Sequence, residues 1–217
     1  MLAVVEAVVF DMDGVLVDSE PLWEGAREQV AREHGGRWGE RAQRDMMGMS
    51  SREWARYLHD ELGVRFEPER ISEEVVARME RLYRERLPLI YGAREAVERL
   101  AQWPLGLASS ANRPLIDLVL ELAGLSELFA ATVSSEEVPR GKPAPDVYLE
   151  AARLLGVAPE ACAAVEDSHN GILSARAAGM RTIAIPNQAF PPGEEVLAQA
   201  DVVLDSIHEL TPAVVAG

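Results

Sequence analysis

Two acids, Asp11 and Asp13, close a mostly apolar run, Val4–Phe10, and are followed at once by Gly14. In an extended segment residues two apart point to the same side, so both carboxylates can face one crevice. Aspartate and glycine also build turns, a reading that accounts for one acid and the glycine and less well for two acids. Glu166 and Asp167 close a later run, Cys162–Val165, in the same manner, ahead of Ser168. Asp167 or Ser168 capping the next helix would leave Glu166 unexplained. Carboxylates from two strand ends offer oxygen ligands alone, a set that suits a hard cation such as Mg2+. Ser109 ends a third run, Leu105–Ser109, and Ser110 follows it shortly before a helix opening at Pro114. A hydroxyl beside free backbone N–H groups at a helix N-terminus is a place for an anion, and an N-cap role fits the serine equally. Of the 21 basic residues a single one, Lys142, is lysine, within Pro139-Arg140-Gly141-Lys142-Pro143. It is either a chance choice on a solvated loop or a cation kept for a purpose.

These residues need elements that bring them together. Val4–Phe10, Leu105–Ser109, Ala131–Ser134, Cys162–Val165, Thr182–Ile185 and Asp201–Leu204 read as short buried strands. Between them lie helical patterns at Arg94–Trp103, Pro114–Gly124, Asp146–Gly156 and Asn170–Gly179. The last three end in glycine, and Pro114–Gly124 also opens with proline, a start and stop pattern with a physical basis. The alternation predicts an α/β fold, a Rossmann-like parallel sheet with right-handed crossovers and helices on both faces. Residues 19–89 break it, with helical stretches at Leu22–His34, Ser51–Leu62 and Ser72–Arg86 and no convincing strand. About seventy residues are too many for a loop inside a compact domain. They are expected to form an all-helical cap domain, 19–89, inserted into an α/β core of 1–18 and 90–217. Open parallel sheets bind ligands at the carboxyl ends of their strands, so helices over that edge would be a lid. Pro186–Gly193 reads as a turn-rich loop.

The formal charge of −15 and the pI of about 4.7 repel nucleic acid and anionic membranes at long range. They would repel a phosphorylated substrate too, unless a metal ion and a few basic residues reverse the field locally. No apolar run approaches the roughly 18 residues of a membrane span. Met1–Glu6 has no basic leader, so a cleaved signal peptide is not expected. The lone cysteine, Cys162, cannot form an internal disulfide, which fits a reducing cytoplasm, and reads as a small buried apolar residue. His34, His59 and His208 show no metal spacing, and His169 reads as a solvated helix start. Arg52, after Gly48-Met49-Ser50-Ser51, reads as surface charge, with a reach to substrate as the alternative.

In combination, Asp11-x-Asp13-Gly14, the strand-ending Ser109, Gly141-Lys142-Pro143 and Glu166-Asp167-Ser168 resemble the haloacid dehalogenase-like phosphatase superfamily over nearly the whole chain. The run Asp18-Ser19-Glu20-Pro21-Leu22-Trp23 looks like bacterial hexose- and hexitol-phosphate phosphatases. The resemblance implies a cytoplasmic Mg2+-dependent phosphatase acting on a small phosphorylated metabolite, a sugar or sugar-alcohol phosphate. By it Asp11 is the nucleophile that becomes an aspartyl phosphate, and Asp13 the general acid and then base. Mg2+ would bind Asp11, the backbone carbonyl of Asp13, Asp167 and, directly or through water, Glu166. Ser109, Ser110 and Lys142 would hold the phosphoryl oxygens, and Trp23 would meet the sugar or pack within the cap. Dehalogenases of the superfamily lack the second acid and the metal, and phosphonatases need a cap lysine that residues 19–89 do not contain. β-Phosphoglucomutases place a histidine where Trp23 stands, which leaves phosphoryl transfer within a hexose phosphate as the alternative. A non-enzymatic phospho-accepting domain would use a similar set without the helical insert. Neither nucleic acid nor membrane is an expected partner, and a monomer or weak oligomer is expected.

Overall fold

The computed structural model describes residues 4–46 and 49–217; Met1–Ala3 of the N-terminal stretch, Met47, and Gly48 of the run before Arg52 lie outside the described residues. Among the described residues six strands, β1 (Ala7–Phe10), β2 (Leu105–Ser109), β3 (Phe129–Ser134), β4 (Cys162–Glu166), β5 (Arg181–Ala184) and β6 (Val202–Val203), form one parallel sheet in the order β3-β2-β1-β4-β5-β6. β1 is four apolar residues with no exposed side chain. Val8 and Phe10 join the core on one face, with Ala163 and Val165 of β4. Ala7 and Val9 join the core on the other, with Cys162 and Ala164. A strand buried on both sides reads as an unbroken apolar run, which is why the periodicity of two is invisible here. β1 begins at Ala7 and not at Val4, whose side chain is exposed.

Among the described residues there are ten α-helices: α1 (Glu20–Glu33), α2 (Ala42–Met46), α3 (Ser51–Asp60), α4 (Pro68–Glu85), α5 (Ala93–Leu100), α6 (Arg113–Ala123), α7 (Asp146–Leu155), α8 (His169–Ala177), α9 (Glu194–Leu197) and α10 (Pro212–Ala216). Between Ser19 and Pro88 the described regular structure is all helical. α4 shows the cause: Ile71, Val75, Met79 and Tyr83, each four residues apart, are buried along one stripe. α1 and α3 pack against α4. α2, the short helices α9 and α10, and the early starts of α1 and α4 were not foreseen from periodicity.

β1 sits where the strand order reverses, between β2 and β4. That switch point opens a crevice at the carboxyl ends of the strands. Asp11 follows β1 directly, Glu166 ends β4, and the Asp11 N–H donates to the Val165 carbonyl at 2.9 Å.

Candidate active site

Asp11, Glu166 and Asp167 are buried, and each offers a carboxylate oxygen within 4.8 Å of the others. Lys142 lies among them. Its Nζ donates to Asp11 Oδ1 at 2.8 Å, to Glu166 Oε1 at 2.6 Å and to the Ala108 carbonyl at 3.0 Å. Burial opposes the lysine charge, but Asp11 and Glu166 outweigh it and hold the ammonium above its ordinary range. Burial pushes Asp11 up to about 8 against the pull of Lys142, with Glu166 and Asp13 adding like charge. Burial followed by Glu166 and Asp11 raises Asp167 as well. Three carboxylates are thus buried together with one ammonium, which bonds two of them, so acids outnumber the cation in a site of oxygen donors. That donor set fits a hard divalent cation, and the cluster can hold a metal.

Glu166 differs from its neighbours. Tyr148 donates its hydroxyl to Oε1 at 2.8 Å, beside the lysine. Oε2 accepts the backbone N–H of Asp167 at 3.0 Å and of Ser168 at 3.2 Å, and the Ser168 hydroxyl at 3.1 Å. Both oxygens are engaged by protein donors. Two glycines make room for the acids. A Cβ on Gly171, in the first turn of α8, would overlap the Glu166 carboxylate, and one on Gly14 would overlap Asp167. Gly14 also has φ +82°, a conformation side chains disfavour.

Asp13 stands on the other side of Asp11. Its Oδ1 accepts the Ser19 hydroxyl at 2.5 Å and the Trp23 indole N–H at 3.3 Å, and Ser109 reaches Oδ2 at 3.5 Å. Burial raises Asp13, opposed by the Ser19 and Trp23 hydrogen bonds. Ser109 is fully buried and also accepts the Ala111 N–H at 3.0 Å. Ser110 lines the cavity, with Asp11, Asp13, Lys142 and Asp167; Ser109 does not. The opposite wall comes from the helical segment: Glu20, Trp23, Arg27, Met49 and Trp54.

The structure therefore brings Asp11, Asp13, Ser110, Lys142, Asp167 and Trp23 to one cavity, with Glu166 and Ser109 behind them. Arg52 is exposed and lies outside the cavity wall, and His169 is exposed at the start of α8. Sequence reasoning missed Arg27, Glu20 and Tyr148. The first two had a signal, since 20, 23 and 27 lie on one helical face. Tyr148 had none, because only the crossover of α7 brings it to Glu166.

Residues 5–179 match the family of haloacid dehalogenase-like hydrolases. The chain belongs to that family. Hexitol phosphatase B of Escherichia coli K12 is 37% identical, with 94% of this chain and 94% of that protein covered. The phosphorylated carbohydrates phosphatase of Thermotoga maritima is 32% identical, over 94% of this chain and 96% of that one. Among solved structures, a putative β-phosphoglucomutase from Thermotoga maritima superposes with a TM-score of 0.73 at 32% identity, covering 96% of this chain and 98% of that one. The chain is an enzyme, a phosphatase of the branch that these relatives share. Among the described residues no helix is long and apolar enough to cross a membrane.

Proposed function

We propose that the chain is a Mg2+-dependent phosphatase of sugar or sugar-alcohol monophosphates that works through Asp11. One observation carries this reading: Asp11 and Asp13 flank one cavity, with Lys142 fixed on Asp11 Oδ1 and Asp13 held by Ser19 and Trp23. Lys142 orients the carboxylate and leaves Oδ2 as the attacking oxygen. Oδ2 attacks phosphorus, the bond from phosphorus to the leaving oxygen breaks, and Asp13 gives that oxygen its proton. Water then attacks the aspartyl phosphate and yields its proton to the Asp13 carboxylate. Inorganic phosphate leaves, and both acids return to their starting forms.

The metal would sit on Asp11, Asp167 and the backbone carbonyl of Asp13, where it neutralises charge on the transferring oxygens. Glu166, with both oxygens occupied, supports Lys142 and the turn into α8. Ser110 and the turn ahead of α6 suit the phosphoryl oxygens. Residues 19–89 act as a cap over a core of residues 1–18 and 90–217. The substrate class rests on the hexitol- and carbohydrate-phosphate activities named for the two relatives above. Cytoplasmic location and independence from nucleic acid and membrane fit a soluble metabolite as the partner.

A test follows phosphate release from hexose and hexitol monophosphates with and without Mg2+, beside conversion of β-glucose 1-phosphate to glucose 6-phosphate. Metal-dependent phosphate release that is lost in Asp11→Asn supports the reading. Isomerisation without release would assign the mutase reaction, and turnover by Asp11→Asn would remove the nucleophile.

A further inference from the structure

Arg27 is a buried cation that the phosphatase reaction does not use. Its side chain lines the cavity opposite Asp11, and the residue is 6% exposed. Among the described residues Nε has no hydrogen-bond partner, and Nη1 reaches only Gln43 Oε1, at 3.4 Å. The guanidinium lies 4.8 Å from the Trp23 ring centre and 5.1 Å from that of Trp54. A buried cation left short of acceptors is unfavourable unless something else supplies them. A purely structural arginine here would be expected to pair with Glu20. Instead Glu20, also on the cavity wall, accepts from Gln43 Nε2 at 2.6 Å. Burial lowers Arg27 only to about 10, so it stays charged at neutral pH.

The neighbouring charges decide what would fill the gap. Glu20 and Asp13 are the acids that act on Arg27. A second phosphate or a carboxylate on the substrate would meet both of these carboxylates at close range. Hydroxyl groups face no such conflict, since each can accept from Arg27 and donate to Glu20. The two indoles hold the guanidinium, so their contribution to a sugar is to aim Arg27 and not to stack on the ring.

We propose that Arg27, with Glu20 and Gln43, forms a hydroxyl-reading subsite that selects neutral polyol monophosphates over substrates carrying a second anionic group. The proposal rests on the phosphatase reading. A hydroxyl held by a charged donor favours the correct substrate by about 10- to 100-fold.

The experiment compares kcat/KM for glucitol 6-phosphate, fructose 1,6-bisphosphate and p-nitrophenyl phosphate, which offers no hydroxyls. In Arg27→Met, whose unbranched apolar chain still fits between the indoles, the ratio of glucitol 6-phosphate to p-nitrophenyl phosphate should fall by about 10- to 100-fold. In Glu20→Gln the ratio of bisphosphate to glucitol 6-phosphate should rise, and this variant carries the test alone if Arg27→Met does not fold. Ratios unmoved in the folded variants overturn the subsite. So does a wild-type enzyme that hydrolyses p-nitrophenyl phosphate yet prefers the bisphosphate, while the phosphatase reading survives. Failure of the wild type on all three substrates removes both.

Discussion

Ser19 occupies the N-cap position of α1, yet its hydroxyl makes no capping bond and goes to Asp13. A forgone cap is worth about 1 kcal/mol, so the helix start is weakened in favour of holding one carboxylate. Trp23, one turn later, adds its indole N–H to the same oxygen. Both donors favour the anion and oppose the upward push of burial on Asp13. As general acid Asp13 must be protonated, so kcat/KM falls as pH rises through its pKa. Trp23→Phe keeps an aromatic ring and removes one donor, which raises the Asp13 pKa further. The alkaline limb of the pH profile for a sugar-alcohol phosphate should therefore move to higher pH. An unmoved limb, or one moved to lower pH, would mean that Asp13 is not the group that titrates there.

α8 acts through its first turn, where the backbone reaches Glu166 and through it Lys142. Glycine inside a helix is disfavoured by about 1 kcal/mol relative to alanine, so propensity alone would gain from Gly171→Ala. The added Cβ would instead displace the Glu166 carboxylate, which holds Lys142 on Asp11. Misplacing such a group by about 1 Å can lower a rate by about 100-fold. The expected outcome for Gly171→Ala is a kcat loss of about that size in protein that still folds, read from phosphate release beside a thermal melt. Near-normal kcat would show that Glu166 does not position the lysine. At this scale the sequence was legible where one element explains itself. The strand-end acids and the glycine-terminated helices lie where their local pattern puts them. The support behind the acids was not legible, because Tyr148 on α7, Glu166 on β4 and Lys142 on a loop meet only after the crossovers close. α2 escaped for a different reason: five residues are too few to display a helical period.

Across the whole molecule, the helical segment between Ser19 and Pro88 touches the rest of the chain beside the site. The Ser51 hydroxyl at the start of α3 donates to Asn112 Oδ1 at 2.8 Å, and Asn112 Nδ2 donates to Glu136 at 2.7 Å. The cavity between this segment and the strand ends is about 60 Å3. Segments that cover a site in this way commonly open to admit substrate and release product. The Ser51–Asn112 bond is expected to act as a latch against that opening. A net hydrogen bond of about 0.5–1.5 kcal/mol holds back opening by about 2- to 12-fold. Trp23 and Trp54, buried on the cavity wall, report on the same event. In a background with Trp38 and Trp103 replaced by phenylalanine, Ser51→Ala should increase acrylamide quenching of the remaining tryptophan emission. Saturating phosphate with Mg2+ should suppress quenching in both proteins, because the bound product favours the closed form. Equal quenching with and without the Ser51 hydroxyl would mean that closure is set by the fit of cap to core, with no share carried by this contact.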